Sequence, residues 1–206
     1  MKLKMIGTKY LLLLAMLASG LANAQGGNAW QESYTLEAAG KYTQANAFMD
    51  SVLREAPTHE FALMRHAWLN YLQGRYNDAL RDYGQVLSIN PKSLDARLGL
   101  TLPLLAQQRW REAAIEARKV TAVSAWDYTA NVRLMICEEG ERKWDVLAQH
   151  AGEMAYRYPT DATVQVYLAR AEAWQGNVRN AKLAYAKVLE RIPAHAEALA
   201  YLKNNP

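Results

Sequence analysis

The chain has 206 residues, of which 51% are hydrophobic and 21% are charged, with 11 glycines and 6 prolines. This composition is that of an ordinary globular protein, and it excludes a disordered, collagen-like or low-complexity chain. The single cysteine excludes an intrachain disulfide framework and a cysteine-based zinc site. The formal net charge of +4 favours an anionic partner only if the basic residues belong to the folded protein.

Residues 1–24 have the pattern of a Sec-type bacterial signal peptide. Three lysines within the first nine residues precede an apolar stretch from Tyr10 to Leu21, and Ala-Asn-Ala follows at 22–24. We expect cleavage after Ala24 and a periplasmic or secreted product. The alternative is an uncleaved anchor, but twelve apolar residues extend only about 18 Å as a helix, against about 30 Å of hydrocarbon. No later segment is apolar enough to cross a bilayer, so an integral membrane protein is not expected.

Removal of this segment changes the meaning of the charge. It contains three lysines and no acidic residue, so residues 25–206 carry 21 basic and 20 acidic residues. A net charge near zero gives no indication of nucleic-acid binding, which needs a basic patch or stripe.

A period of 34 residues runs through the rest of the chain. Gly40, Gly74 and Gly176 share one phase of this period, and Gln108 and Arg142 occupy its other two places. Four more sets have the same spacing: Tyr42, Tyr76, Trp110, Trp144 and Val178; Ala45, Ala79, Ala113, Leu147 and Ala181; Val52, Val86, Val120, Met154 and Val188; Pro57, Pro91, Ala125, Pro159 and Pro193. Five units fit without insertion or deletion, at 26–59, 60–93, 94–127, 128–161 and 162–195.

The order of glycine, aromatic, alanine, small apolar residue and proline resembles the later half of the tetratricopeptide repeat motif. That motif also takes a small residue at unit position 8, where these units carry Ser33, Ala67, Thr101, Met135 and Ala169. The resemblance implies an all-α fold, a right-handed α-solenoid of five helix-turn-helix units. It also implies a noncatalytic role in binding other proteins.

The residues of each unit support two helices on physical grounds. Glycine at unit position 15 tolerates the positive φ needed to leave the first helix, and proline at position 32 ends the second. Asp127 and Asp161 precede first helices as N-caps. A single hairpin cannot bury its apolar face, whereas a stack of hairpins can. Residues 196–206 are expected to form a short closing helix on the last hairpin.

No catalytic, cofactor or metal motif is present in the sequence. It has no HExxH, GxSxG or glycine-rich phosphate loop, and its four histidines are scattered. We therefore expect neither enzymatic activity nor a cofactor. Cys137, within a first helix, is interpreted as a buried small hydrophobe; the alternative is intermolecular pairing or a redox role.

First helices line the concave face of a tetratricopeptide array, and the resemblance implies that unit positions 2, 5, 9, 12 and 13 point into its groove. The candidate partner-binding residues are Trp30, Tyr34, Phe61, Met64, Trp68, Tyr71, Leu98, Leu102, Leu105, Val132, Ile136 and Arg170. Arrays that bind chaperone C-terminal carboxylates carry Lys and Asn in this region, where this chain is mostly apolar. Its groove instead suits an amphipathic helix or an apolar extended segment.

A second interpretation of the first helices stays open. Positions 4 and 11, which are core positions in the family, are polar in several units: Arg97, Asn131 and Gln165, and Asn70, Glu138 and Glu172. The first helices would then be rolled, and residues such as Trp30, Met64, Leu98 and Val132 would belong to the core. In the third unit, Pro103 either marks a helix break or changes the curvature of the groove.

These patterns together predict a noncatalytic adaptor or scaffold of the bacterial envelope, with a protein or peptide partner of unknown identity. The alternative is a self-assembling homo-oligomer whose apolar faces stack protomers. A ligand-binding or enzymatic role would instead need a closed pocket with convergent polar groups.

Overall fold

The computed structural model describes residues 29–206, so the expected signal peptide at 1–24 lies outside the described residues. The described part is all-α and contains no strand. Its helices are α1 (described over residues 29–38), α2 (Tyr42–Glu55), α3 (Glu60–Leu72), α4 (Tyr76–Ile89), α5 (Leu94–Ala106), α6 (Trp110–Thr121), α7 (Tyr128–Gly140), α8 (Trp144–Arg157), α9 (Ala162–Trp174), α10 (Val178–Arg191) and α11 (Ala196–Asn204). The predicted all-α fold of helix-turn-helix repeats is confirmed.

In each helix pair, the turn between the two helices contains a residue with positive φ. These residues are Gly40 (71°), Gly74 (74°), Gln108 (56°), Arg142 (57°) and Gly176 (78°). The next residue donates its backbone N–H to the carbonyl five residues earlier, as Arg75 does to Asn70 at 2.9 Å, which is the bond of a Schellman cap. The residue at unit position 15, which is glycine in three of the units, therefore forms the left-handed turn that ends the first helix of every pair.

Side-chain caps begin α3, α5, α7, α9 and α11. Asp127 and Asp161 accept hydrogen bonds from the backbone N–H groups of Ala130 (2.8 Å) and Val164 (2.9 Å), as predicted. At the same phase, Nδ1 of His59 and of His195 and Oγ of Ser93 are also acceptors, each at 3.3 Å. The capping role of both histidines could not be predicted from the sequence, because histidine is not a preferred N-cap residue.

Pro103 does not break its helix, which corrects one of the two expectations for this residue. It is buried inside α5, and the backbone N–H of Gln107 still donates to its carbonyl at 3.1 Å. Proline removes one donor from the helix. The helix continues past Pro103 for about one more turn and ends at Ala106.

The described residues form two compact units, and the division falls within α5: the first unit ends at Ala96 and the second is Arg97–Pro206. In the first unit, Ala45, Met49 and Leu69 form a buried cluster against which Trp30, Tyr42 and Trp68 pack. In the second unit, one cluster centres on Met135, Leu147, Met154 and Val164, and another joins α9, α10 and α11 through Val166, Tyr185, Val188 and Ala198.

Four of the six polar residues at core positions, Asn70, Asn131, Glu138 and Gln165, are buried and hydrogen-bonded. Asn70, only 2% exposed, donates to Asp82 Oδ2 at 2.9 Å and accepts from Asn46 Nδ2 at 3.0 Å. In the second unit, His150 contacts Glu138 at 3.0 Å and Asn131 Oδ1 at 2.9 Å. Polar side chains therefore occupy the helix crossings, and their presence does not require the first helices to be rolled.

Candidate functional site

Four of the predicted binding residues line one cavity of 770 Å³ in the first unit. Tyr34 comes from α1, and Phe61, Met64 and Trp68 come from α3. Tyr34 is 50% exposed and Phe61 47% exposed, so large aromatic surface faces solvent at the edge of the cavity. The spacing of these α3 residues, three or four apart, places them on one helix face.

Trp30 and Tyr71, also predicted as binding residues, support the aromatic side chains of the cavity. The ring centroid of Trp30 lies 5.3 Å from that of Phe61 and 5.6 Å from that of His59. The Tyr71 ring lies 5.5 Å from Trp68. Because Trp30 also packs against the core cluster of the first unit, it has features of both the groove and the core interpretation.

A polar network lies beneath the aromatic residues. The Arg65 side chain, 4% exposed, donates through Nε to Ser33 Oγ at 2.9 Å and through Nη1 to Glu37 Oε2 at 2.8 Å. Its guanidinium also stacks 3.5 Å from the centroid of the Tyr34 ring. Glu37 accepts a second hydrogen bond from Trp68 Nε1 at 2.7 Å. This network therefore holds the side chains of α1 and α3 in one arrangement.

The cavity is completed by residues that the sequence analysis missed, among them Glu37, Arg65, Tyr83 and Asp95. Glu37 and Asp95 occupy groove positions 12 and 2, so the position rule includes them, and only the preference for apolar residues left them out. Tyr83 comes from α4 and is buried. Burial, with smaller effects of Tyr71 and Asp82, raises the pKa of Tyr83 above its usual range, so its hydroxyl stays protonated.

The other six predicted binding residues lie in the second unit. Leu98, Leu102 and Leu105 on α5 are half-buried, as is Ile136 on α7. Val132 packs against the core cluster around Met135, as the core interpretation expects. A groove running continuously through both sets of residues stays a prediction.

Arg170, the last of the six, is engaged in ion pairs. It contacts Glu197 at 2.7 Å and Glu139 at 3.2 Å, and so ties α9 to α11 and α7. The hydrogen bond to Glu197 is the main cause that raises the pKa of Arg170. The same bond lowers the pKa of Glu197, so both groups stay charged at neutral pH.

The described residues offer no arrangement for metal or thiol chemistry. Within 29–206, no three His, Cys, Asp or Glu side chains come together in a way that would hold a metal ion. Cys137 is 1% exposed, and burial raises its pKa to about 12, which keeps the thiol protonated. The structure thus supports the interpretation of Cys137 as a buried hydrophobe. In the same part of the chain, no helix has the length and apolar character that a membrane span requires.

Comparison with known proteins identifies the repeat. The family model for the tetratricopeptide repeat matches residues 70–123. A comparison with curated protein sequences gave no match.

Several solved structures share the fold at low sequence identity. MamA from Desulfovibrio magneticus RS-1 is 16% identical, with 84% of this chain and 97% of that chain covered, at a TM-score of 0.74. YrrB, described as a TPR protein with an unusual peptide-binding site, is 17% identical over 85% and 90% of the two chains, at 0.69. PilW, described as a widely conserved type IV pilus biogenesis factor, is 20% identical over 86% and 87%, at 0.72. Residues 70–123 therefore carry tetratricopeptide repeat sequence, and the chain has the helix-hairpin fold of such proteins.

Proposed function

We propose that this protein is a noncatalytic adaptor that binds a peptide or helix of a partner protein through the cavity of its first unit. The observation that carries the proposal is the aromatic cavity itself, with Tyr34 and Phe61 half exposed over a fixed Arg65–Glu37 pair. Exposed aromatic side chains with a buried, hydrogen-bonded support are typical of binding hot spots. The peptide-binding site described for YrrB, a protein of the same fold, supports the proposal by analogy.

The proposal includes a location in the bacterial envelope. The signal-peptide pattern of residues 1–24 supports it, and so by analogy does PilW, a protein of the same fold described as a pilus biogenesis factor. Expression of the full chain with a C-terminal tag tests this directly. We expect the tagged protein in the periplasmic or extracellular fraction, with Gln25 as its first residue by N-terminal sequencing. An unprocessed protein in the cytoplasm would contradict the proposal.

Binding is tested by capture from an envelope extract with the tagged full chain and two variants. Phe61→Ala removes an exposed wall of the cavity, whereas Tyr156→Ala removes a side chain that is 92% exposed in the second unit. We expect a protein that is captured by the wild type and by Tyr156→Ala and lost with Phe61→Ala. Circular dichroism and thermal melting establish that both variants are folded. Equal capture by all three would place binding outside the cavity.

Self-assembly is the second candidate function, and large exposed apolar side chains outside the cavity favour it. Trp174 is 67% exposed and stacks on Trp144 at 5.0 Å, and Leu183 is 59% exposed. Such residues on one unit could be covered by another protomer. Sedimentation equilibrium separates the candidates, because only self-assembly gives a mass that rises with protein concentration and falls in a Trp174→Ser variant.

A further inference from the structure

The cavity of the first unit is too large for a single side chain and too apolar for a free ion. Its 770 Å³ lies in the range of pockets that enclose whole small ligands or several peptide residues. Phe61, Met64 and Trp68 present apolar surface, and Tyr34 adds an aromatic edge. An occupant must therefore bring at least one apolar or aromatic side chain to bury against them.

Arg65 supplies a second, independent indication of an occupant. Its Nε and Nη1 are hydrogen-bonded and its guanidinium stacks on the Tyr34 ring, but its Nη2 has no hydrogen-bond partner among the described residues. A buried donor without a partner costs about 1–3 kcal/mol, so such a group normally has an acceptor in the working state. Arg65 and Met64 both line the cavity, so the unpartnered donor belongs to a residue of the cavity wall.

The acceptor that fits Arg65 is neutral. Glu37 already balances the guanidinium charge at 2.8 Å. A carboxylate from a partner would therefore be buried without an unpaired cation to neutralise it. A backbone carbonyl needs only the free Nη2 donor. This favours an extended peptide, whose carbonyl groups are available, over an α-helix, whose carbonyls are bonded internally except at its C-terminus.

Charge at the cavity favours a basic side chain on that peptide. Its lining contains two carboxylates, Glu37 and Asp95, and a single cation, Arg65, which is already paired. Asp95 is exposed and makes no hydrogen bond or ion pair with the described residues, so its charge is open to a partner. The described part of the first unit adds to this bias, with eight acidic and six basic residues.

We infer that the cavity takes an extended peptide segment in which an apolar or aromatic side chain lies beside a basic one. The apolar side chain packs on Phe61 and Trp68, a backbone carbonyl accepts from Arg65 Nη2, and the basic side chain pairs with Asp95. This inference rests on the proposed adaptor function and names the chemistry of its partner.

The test begins with a selection of random 12-residue display peptides on the purified chain after signal removal. The enriched peptide is then synthesised, together with a variant in which its basic residue is replaced by glutamate. Fluorescence anisotropy then gives Kd values for the wild type, Phe61→Ala, Asp95→Lys and Glu55→Lys. Glu55→Lys is the matched control, since it makes the same charge change at an exposed position of the first unit outside the cavity lining.

We expect enriched peptides with adjacent apolar and basic residues, and weaker binding of the glutamate counterpart. Asp95→Lys should weaken the basic peptide about 5-fold to 10-fold, and Glu55→Lys less than about 2-fold. Binding should weaken at high salt and be lost with Phe61→Ala.

Three outcomes would overturn the inference. Enriched acidic peptides that still require Phe61 would contradict the partner chemistry while leaving the adaptor function intact. Enriched peptides indifferent to Phe61, or none at all, would contradict both. A dimer in sedimentation that Asp95→Lys dissociates would place a second copy of this chain in the cavity instead.

Discussion

Of the five residues with positive φ in the described part of the chain, two are not glycine, and both are expected to be sites of strain. Gln108 and Arg142 adopt φ values of 56° and 57°, a region that costs a residue with a side chain about 1–2 kcal/mol. We predict that Gln108→Gly and Arg142→Gly each raise the free energy of unfolding by about 0.5–1 kcal/mol, after the entropy cost of glycine. Urea denaturation measures the change.

Gly74→Ala is the reverse control. A Cβ at Gly74 would meet nothing within 4 Å, so any loss of stability there comes from its φ of 74° alone. We expect a loss of about 1 kcal/mol. If Gly74→Ala is neutral, the strain argument for Gln108 and Arg142 is wrong.

Gly140 is constrained by the side chain packed against it rather than by its φ. A Cβ at this position would lie 2.6 Å from two carbon atoms of the Trp110 indole, which packs on the end of α7. We predict that Gly140→Ala lowers the free energy of unfolding by about 1–3 kcal/mol, because the indole must move. Thermal and urea unfolding give the change.

Gly152 provides the matched control for Gly140. It lies inside α8, and a Cβ there would meet nothing within 4 Å. Gly152→Ala should therefore stabilise the protein by about 0.5–1 kcal/mol through helix propensity. Opposite signs for the two alanine variants are the expected result, and equal effects would contradict the close contact with Trp110.

At the scale of elements, His66 on α3 connects the second helices of two neighbouring pairs. Its Nδ1 lies 2.7 Å from Asp82 on α4 and its Nε2 lies 3.1 Å from Asp50 on α2. Burial lowers the pKa of His66, but the hydrogen bond and charge of Asp82, together with Asp50, raise it above 6.5 overall. When protonated, the imidazole therefore links three helices through these two ion pairs.

The raised pKa predicts how stability depends on pH. A group that binds its proton more tightly in the folded state contributes its full stabilisation below the unfolded pKa and loses it as pH rises through the folded pKa. We expect the difference in unfolding free energy between the wild type and His66→Gln to be largest below about pH 6.5 and to shrink as the pH rises above it through the raised pKa of His66. Urea unfolding of both proteins across this range measures it. A difference that grows with pH would contradict the assigned ion pairs.

At the scale of the whole molecule, the order of contacts predicts local unfolding. Helices in each unit pack mainly on their neighbours along the chain, as in repeat proteins whose stability is a sum of nearest-neighbour terms. Met135 is fully buried in the cluster joining α7, α8 and α9, so Met135→Ala should cost about 2–5 kcal/mol there.

Hydrogen exchange measures where that loss appears. We expect faster exchange in α7, α8 and α9 of the Met135→Ala variant, and protection in α3 and α4 close to that of the wild type. Tyr156→Ala, on the exposed face of α8, is the control and should leave all helices protected. A uniform loss of protection over the described chain would instead indicate one cooperative folding unit.

Features that repeat every 34 residues could be read from the sequence, because each depends on local backbone chemistry. Glycine at unit position 15 predicted the left-handed turns at Gly40, Gly74 and Gly176, and Gln108 and Arg142 at the same phase also have positive φ. Asp127 and Asp161 predicted caps, since a short acidic side chain reaches its own helix start.

The candidate site depended on contacts between helices and could be predicted only in part. Tyr34, Phe61, Met64 and Trp68 were predicted from their unit positions, and the structure brings them to one cavity. Arg65 was not, because its pairing with Glu37 joins residues 28 positions apart in neighbouring repeats, and no local pattern marks it. Glu37 stands at a groove position and was left out only because it is not apolar.

The sequence by itself determined the repeat, the helices and the turns between them, because these follow from interactions within a few residues. Only the tertiary structure decided that Asn70 and Glu138 are buried with hydrogen-bond partners rather than turned to solvent. Likewise, only the structure placed Pro103 inside a continuous helix. The free energy of a buried polar group or a helix proline depends on the partners that packing supplies, and those partners lie far away along the chain.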